Sequence, residues 1–309
     1  VAEGTLWVDT DMGFDDLAAL CLLDAAGMPV GGVSLVAGNV ALEQVRRNAH
    51  GARAAFGWRW PVHDGAAAPL AGRTETAVAI LGSMGMRSAG RHLPTVESTA
   101  SPVSATEAIA SWIGEGGRRI LALGPLTNLA HLVEAYPVAA ERVEIVWMGG
   151  SAGPGNHTAA AEFNAFADPE ALARLIACGV SLSMVGLDVC RQVQVSHADA
   201  VRMRGNGPRA ELLADLLEGY VNIAGTGRMA LYDPVAAAFC VAHDCVKFAP
   251  ARLDVELNGT LTRGMTVIEW RAHRAAPNAR IATQADASRI RDLFRRGFDA
   301  AIKAEGVRP

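Results

Sequence analysis

Short runs of β-branched and apolar residues alternate along the chain with segments whose apolar positions recur near the helical period. Residues 6–9, 32–37, 119–123, 143–148 and 180–185 are the short runs, and they predict strands. Between them, residues 15–26, 42–56, 103–114, 126–135 and 168–178 are amphipathic and predict helices. A β-α-β-α order of this kind favours an α/β fold: a mainly parallel, Rossmann-like central sheet flanked by helices on both faces. The rhythm breaks in the last third. There the pattern predicts helices at 210–224 and 233–242, strand-like stretches at 246–257 and 265–270, and a terminal helix at 287–304. No Ser/Pro-rich linker, charge block or internal repeat divides the chain, so 1–309 is expected to form a single domain.

Composition narrows the function classes. Of 309 residues, 50% are hydrophobic and 19% charged, which points to a compact interior and permits a buried subunit interface. The net charge of −4 gives no general attraction for nucleic acid or anionic membranes. No window reaches the roughly 18 uninterrupted apolar residues of a membrane span, and the strand-like TLWVDT follows no signal-peptide core, so a soluble, cytoplasmic protein is expected. The five cysteines are scattered and form no C-x-x-C pair, which fits a reducing compartment; all five are expected to be buried apolar residues.

Ligands of open parallel sheets sit beyond the carboxyl ends of the strands, so the active site is expected there. The first strand runs into Asp9-Thr10-Asp11-Met12-Gly13-Phe14-Asp15-Asp16. An N-cap and the helix dipole account for two of these four carboxylates. The rest repel one another unless a cation sits among them, and oxygen donors without nearby His or Cys suit Ca2+ or Mg2+. Asp9 and Asp11 share the spacing of haloacid-dehalogenase-like phosphatases, but Gly13 stands where that group carries Thr or Val, and Asp15-Asp16 has no role there.

DTDMGFDD closely resembles the DTDPGxDD opening of nucleoside hydrolases, with Met12 for the usual Pro. Asn156 through Asn164, with Asp168-Pro169-Glu170 after it, resembles that family's sugar-binding loop. Ala37-Gly38-Asn39, Gly124-Pro125-Leu126-Thr127-Asn128 and Thr262-Arg263-Gly264-Met265-Thr266 also match, in the family's order. The resemblance implies Ca2+-dependent hydrolysis of the N-glycosidic bond of ribonucleosides to free base and ribose, and a homodimer or homotetramer. It implies Ca2+ ligation by Asp11, Asp16, Asp233 and the backbone carbonyl of Leu123, with Asp11 as the base that activates water. Asp15, Asn39 and Asn164 would hold ribose hydroxyls, and Asn156 and Glu162 the 5′-hydroxyl. Singly, such Asn residues are more often turn formers, and Asp233 before Pro234 also reads as a helix N-cap.

The base side departs from the family. Tyr232 precedes Asp233 where inosine-uridine-type members carry His, and Leu81 stands where a second His is usual. Tyr232 could stack on the base, donate a proton, or simply wall the pocket; stacking favours purines slightly. His157 is a weak candidate acid, and Trp270 and Met229 are read as packing residues rather than pocket walls. The alternatives that stay open are an enzyme of the same fold on an unusual N-riboside and a non-catalytic, metal-dependent riboside binder.

Overall fold

The computed structural model describes residues 4–303. Its strands are β1 (Leu6–Thr10), β2 (Val30–Leu35), β3 (Val62–Asp64), β4 (Arg119–Ala122), β5 (Glu144–Met148), β6 (Ser181–Val185), β7 (Gln194–Ser196), β8 (Arg228–Ala230), β9 (Val246–Val255), β10 (Thr266–Glu269) and β11 (Ala279–Ala285). Nine of them form one sheet in the order β10-β9-β11-β6-β5-β4-β1-β2-β3. The pairings from β3 to β11 are parallel, and β9 and β10 add an antiparallel edge. β7 and β8 form a small separate antiparallel pair.

Alternation along the strands builds two cores. Val8, Leu121 and Val146 point to one face, where they pack with the helices α1 (Phe14–Ala25), α2 (Leu42–Phe56) and others. Trp7, Ile120, Ile145 and Trp147 point to the other, under α3 (Ala105–Gly114), α4 (Thr127–Ala135) and, beyond the short α5 (Phe163–Ala167), α6 (Pro169–Ala177). Strands buried on both faces need apolar residues at every position, which is why these runs are continuous in the sequence. The remaining long helices, α7 (Pro208–Val221), α8 (Asp233–Val241) and α9 (Ala287–Lys303), pack on the first face.

The expected strands and helices form, with shifted boundaries. Residues 32–37 are expected to form a strand, but β2 begins at Val30, which already pairs with Leu6, and it runs through Gly31 and Gly32, which leave room for indoles. A Cβ there would lie 2.3 Å from Trp112 and 2.5 Å from Trp7. α3 starts at Ala105 rather than 103, since Ser104 takes the N-cap and forms a reciprocal capping box with Glu107. α6 starts at Pro169 because Asp168 caps it, and α7 begins earlier than 210, at Pro208. Residue 304 of the expected terminal helix lies outside the described residues. Cys178 corrects the expectation for cysteines: it is exposed at the end of α6, while the other four are buried. No described helix is long and apolar enough to cross a membrane.

The chain leaves β1 for β2 and β3 on one side and reaches β4, β5 and β6 on the other. The switch point therefore lies between β1 and β4, and the loops after these two strands part there to form a crevice.

Candidate active site

β1 delivers its aspartates to different places. Asp9, still within the strand, is fully buried and accepts from the Ser34 hydroxyl and, at 2.7 Å, from Asn128 Nδ2. Its other oxygen has no partner among the described residues. Burial pushes this carboxyl up to about 7. Asp9 thus stands apart from the other three aspartates of the cluster and ties β1 to the Gly124–Asn128 segment.

Asp11 lies past the strand end, in the crevice. The backbone N–H of Asn39 donates to Asp11 Oδ2 at 2.7 Å and Asn39 Nδ2 to Oδ1 at 2.9 Å, so both carboxylate oxygens are fixed by one residue of the loop after β2. That approach requires glycine beforehand, because a Cβ on Gly38 would lie 2.2 Å from Asp11 Oδ2. Met12 then turns the chain with φ 51°, the only left-handed non-glycine among the described residues. Its N–H bonds Thr10 Oγ1 at 3.0 Å and its carbonyl accepts from Asn48 Nδ2 at 3.1 Å, which holds the conformation.

The turn feeds α1, and Asp16 occupies its first turn. Asp16 accepts from the Thr10 hydroxyl and, at 2.8 Å, from the Gly13 N–H, so its carboxylate caps the start of α1. Side-chain oxygens of Asp15, Asp16 and Asp233 lie within 4.8 Å of one another. Asp16 also makes side-chain contact with Asp11. Asp233 opens α8, but Tyr232 takes the flanking position and no side chain caps this end, so the Asp233 carboxylate is left to face the cluster.

Burial raises Asp11, Asp15, Asp16 and Asp233, and repulsion from neighbouring carboxylates adds to it for Asp11, Asp15 and Asp233. Asp11 is held well above the usual carboxylate range by burial and the charge of Asp16, and Asp233 by burial and the charge of Asp15. Asp15 is pushed up to about 7 by burial and by Asp16, and Asp16 is raised by burial. Asp11, Asp15, Asn39, Leu123, Asn156, Glu162, Asn164, Tyr232 and Asp233 line one cleft, with Asp16 buried beneath it. Among the described residues, no Lys, Arg or His lines that cleft. A buried, oxygen-only donor set without a protein cation fits a hard divalent ion.

The opposite wall of the cleft comes from β5 and the loop after it. Glu162 caps α5, with Oε1 accepting from Asn164 N–H at 2.9 Å and Oε2 from Gly150 and Ala165 N–H at 2.8 and 3.0 Å. Burial still raises it to about 7. Asn164 Nδ2 donates at 3.0 Å to the carbonyls of both Leu123 and Met148, which turns its amide oxygen away from them. Met148 and Phe163 also line the cleft and were not singled out in the sequence. Their signals were positional: Met148 ends a strand before Gly149-Gly150, and Phe163 sits between Glu162 and Asn164.

A family model described as inosine-uridine preferring nucleoside hydrolase matches residues 6–292. The chain belongs to this family. It is 33% identical over 302 residues to a pyrimidine-specific ribonucleoside hydrolase of Shewanella woodyi, covering 94% of each chain. It is 32% identical over 286 residues to a non-specific ribonucleoside hydrolase of Klebsiella pneumoniae, covering 90% of this chain and 93% of the relative. Among solved structures, the purine-preferring ribonucleoside hydrolase from Gardnerella vaginalis superposes with a TM-score of 0.89 at 26% identity, over 97% of this chain and 100% of that one.

This nucleoside hydrolase is an enzyme in which Tyr232 and Leu81, the two departures from the resemblance, are placed differently. Tyr232 lines the cleft, its phenol pushed up to about 12 by burial and by the charge of Asp15. Leu81 ends a helical turn, Val78–Leu81, whose preceding Ala77 N–H bonds the Asn39 carbonyl at 3.0 Å; it does not line the cleft. His157 packs its ring against Phe163 and Phe166, with centroids 5.4 and 4.6 Å away, and lies outside the cleft lining. Trp270 and Met229 are also absent from it.

Proposed function

We propose that this nucleoside hydrolase cleaves the N-glycosidic bond of ribonucleosides in a Ca2+-dependent reaction, with purines modestly favoured. The observation that carries the reading is the cleft floor, where four raised carboxylates converge without a protein cation beside a wall of sugar-type donors and acceptors. Asp11, Asp16, Asp233 and the Leu123 carbonyl would hold the ion, and Asp15 lies close enough to share it. When bound, Ca2+ supplies the charge that keeps these carboxylates ionised and acidifies a neighbouring water.

The residues then divide the work. Asp11, aligned by Asn39, takes the proton of the attacking water while its oxygen adds to the anomeric carbon and the C–N bond breaks. Asp15, Asn39 and Asn164 hold the ribose hydroxyls through a transition state of oxocarbenium character. Asn156 and Glu162 hold the 5′-hydroxyl. Tyr232 flanks the leaving base, either stacking on it while solvent protonates it or donating the phenolic proton. The relatives' names span pyrimidine-specific, non-specific and purine-preferring enzymes. For this chain the aromatic Tyr232 supports the purine side. The family resemblance also supports a homo-oligomer.

Asp11→Ala is expected to lower kcat by roughly 10²–10⁴-fold, read as reducing-sugar release; turnover within tenfold of wild type would remove Asp11 as the base. Tyr232→Phe separates the two base-side roles. Stacking survives loss of the hydroxyl, so kcat stays near wild type, whereas a proton donor loses roughly 10²–10⁴-fold.

A further inference from the structure

The loop of residues 151–161, which carries Asn156 at the start of the Asn156–Asn164 sugar-loop motif, is mostly exposed or half-buried between a buried Ser151 and a buried Ala161. Internal bonds give it shape: Asn156 N–H to the Ala161 carbonyl at 3.2 Å, and Phe163 N–H to Asn156 Oδ1 at 2.9 Å. Shape alone does not fix its height over the cleft. Besides the His157 ring packed on Phe163 and Phe166, and Thr266, which pairs with the Ser151 backbone, the loop is hydrogen-bonded by two charged residues on one helical turn, Leu187–Cys190 and the residue that follows it. Asp188 Oδ2 accepts from the Ala152 N–H at 2.5 Å and from Ser151 Oγ at 3.3 Å. Arg191 donates from Nη1 to the Pro154 carbonyl at 3.0 Å and from Nη2 to the Gly155 carbonyl at 2.9 Å. The second of these carbonyls belongs to the residue immediately before Asn156.

Residues three apart on a helix share a side, so one rigid turn grips the loop at both ends of its first half. Among the described residues neither charge forms an ion pair. Both are spent on loop backbone. The same turn reaches the base side, because Cys190 Sγ lies 3.7 Å from the Tyr232 carbonyl and the Val193 carbonyl accepts from Leu231 N–H at 2.9 Å. The 187–193 segment is thus a bracket between the sugar loop and the segment carrying Tyr232 and Asp233.

We propose that Asp188 and Arg191 are positioning residues that set Asn156 against the 5′-hydroxyl of the substrate, making the enzyme's preference for an intact 5′-hydroxyl depend on this bracket. The proposal rests on the reading of Asn156 as a 5′-hydroxyl ligand. A planar guanidinium serves two adjacent carbonyls at once, which a Lys ammonium on a flexible stem does poorly. A carboxylate and an Asn amide oxygen both accept from Ala152, so Asp188→Asn keeps most of that anchor.

The test compares inosine with 5′-deoxyinosine, and uridine with 5′-deoxyuridine, across wild type, Arg191→Ala, Arg191→Lys and Asp188→Asn, each checked for a Tm near that of wild type. For Arg191→Ala, kcat/KM on the 5′-hydroxyl substrates is expected to fall about 10- to 100-fold, the scale of a misplaced binding group. On the 5′-deoxy substrates it is expected to change less than about threefold, with Arg191→Lys intermediate and Asp188→Asn mildest. Should Arg191→Ala fail to fold, the Lys and Asn variants carry the same comparison. Equal losses on both members of a pair, or no loss on either, overturn the proposal. A wild-type enzyme that hydrolyses both members of a pair equally well overturns the reading of Asn156 and the proposal with it.

Discussion

Single residues at the strand end decide whether the cluster can exist. Asp11 is useful only because Asn39 aligns both its oxygens and Gly38 lets the backbone come close. Met12 makes the turn at φ 51°, a value the proline ring cannot reach, since it locks φ near −65°. The family pattern carries Pro at this position, yet here Met12→Pro would also delete the N–H that bonds Thr10. The variant is expected to lose about 1–3 kcal/mol of stability and to displace Asp11, seen as a lower Tm together with lower turnover. Unchanged Tm and activity would mean that this turn has a second conformation as good as the first. The residue types here were legible from the sequence, but their partners were not. Asn39 and Glu162 were assigned to sugar hydroxyls, and nothing local shows that Asn39 also grips Asp11 or that Glu162 also accepts from the Gly150 N–H. Those bonds join residues brought together by tertiary packing.

Elements carry these residues to the crevice through their ends, and the caps do more than end helices. Asp168 caps α6 through the Ala171 N–H at 3.0 Å, and it also accepts from the Thr127 hydroxyl at 2.6 Å and the Leu70 N–H at 2.9 Å. It thereby joins the start of α6 to α4, the helix that follows the Leu123 carbonyl. Asp168→Ala removes a cap and leaves two partners unsatisfied, for an expected cost of roughly 2–4 kcal/mol. Thermal unfolding should show a Tm several degrees lower, and an unchanged Tm would contradict the linking role. β1, β2, β4, β5 and β6 could be read from continuous apolar runs because the sheet is covered on both faces. β11 could not, although it lies inside the sheet beside β6. Its sequence, ARIATQA, mixes polar and apolar residues with no regular alternation and follows no helix, so neither composition nor rhythm marks it. β3, β7 and β8 have three residues each, too few for any periodicity.

At the scale of the whole molecule, the fold concentrates negative charge at the switch point of its sheet and pays for it in stability. Asp9, Asp15 and Glu162 have folded values of about 7, above their values of 3.8, 3.8 and 4.5 when unperturbed. Below about pH 4 they are protonated folded or unfolded and cost nothing. As pH rises toward 7 the unfolded chain releases these protons more readily than the folded one, so the stability of the metal-free protein falls across that window. A divalent ion opposes the loss by favouring the ionised folded state, and protons compete with it at low pH. The Tm gain on adding Ca2+ to chelator-treated protein is therefore expected to be larger at pH 8 than at pH 5. An equal gain at both would place the ion elsewhere.

The central claim is that the carboxylate cluster, loaded with Ca2+, breaks the bond between ribose and base. The direct measurement is reducing-sugar release from inosine, adenosine, guanosine, uridine, cytidine and nicotinamide riboside, before and after chelation and again after adding Ca2+. The account predicts release from at least one purine riboside that is lost on chelation and restored by Ca2+. Release that survives chelation would contradict the metal's role, and a protein that binds Ca2+ yet cleaves none of the six would contradict ribonucleoside hydrolysis itself.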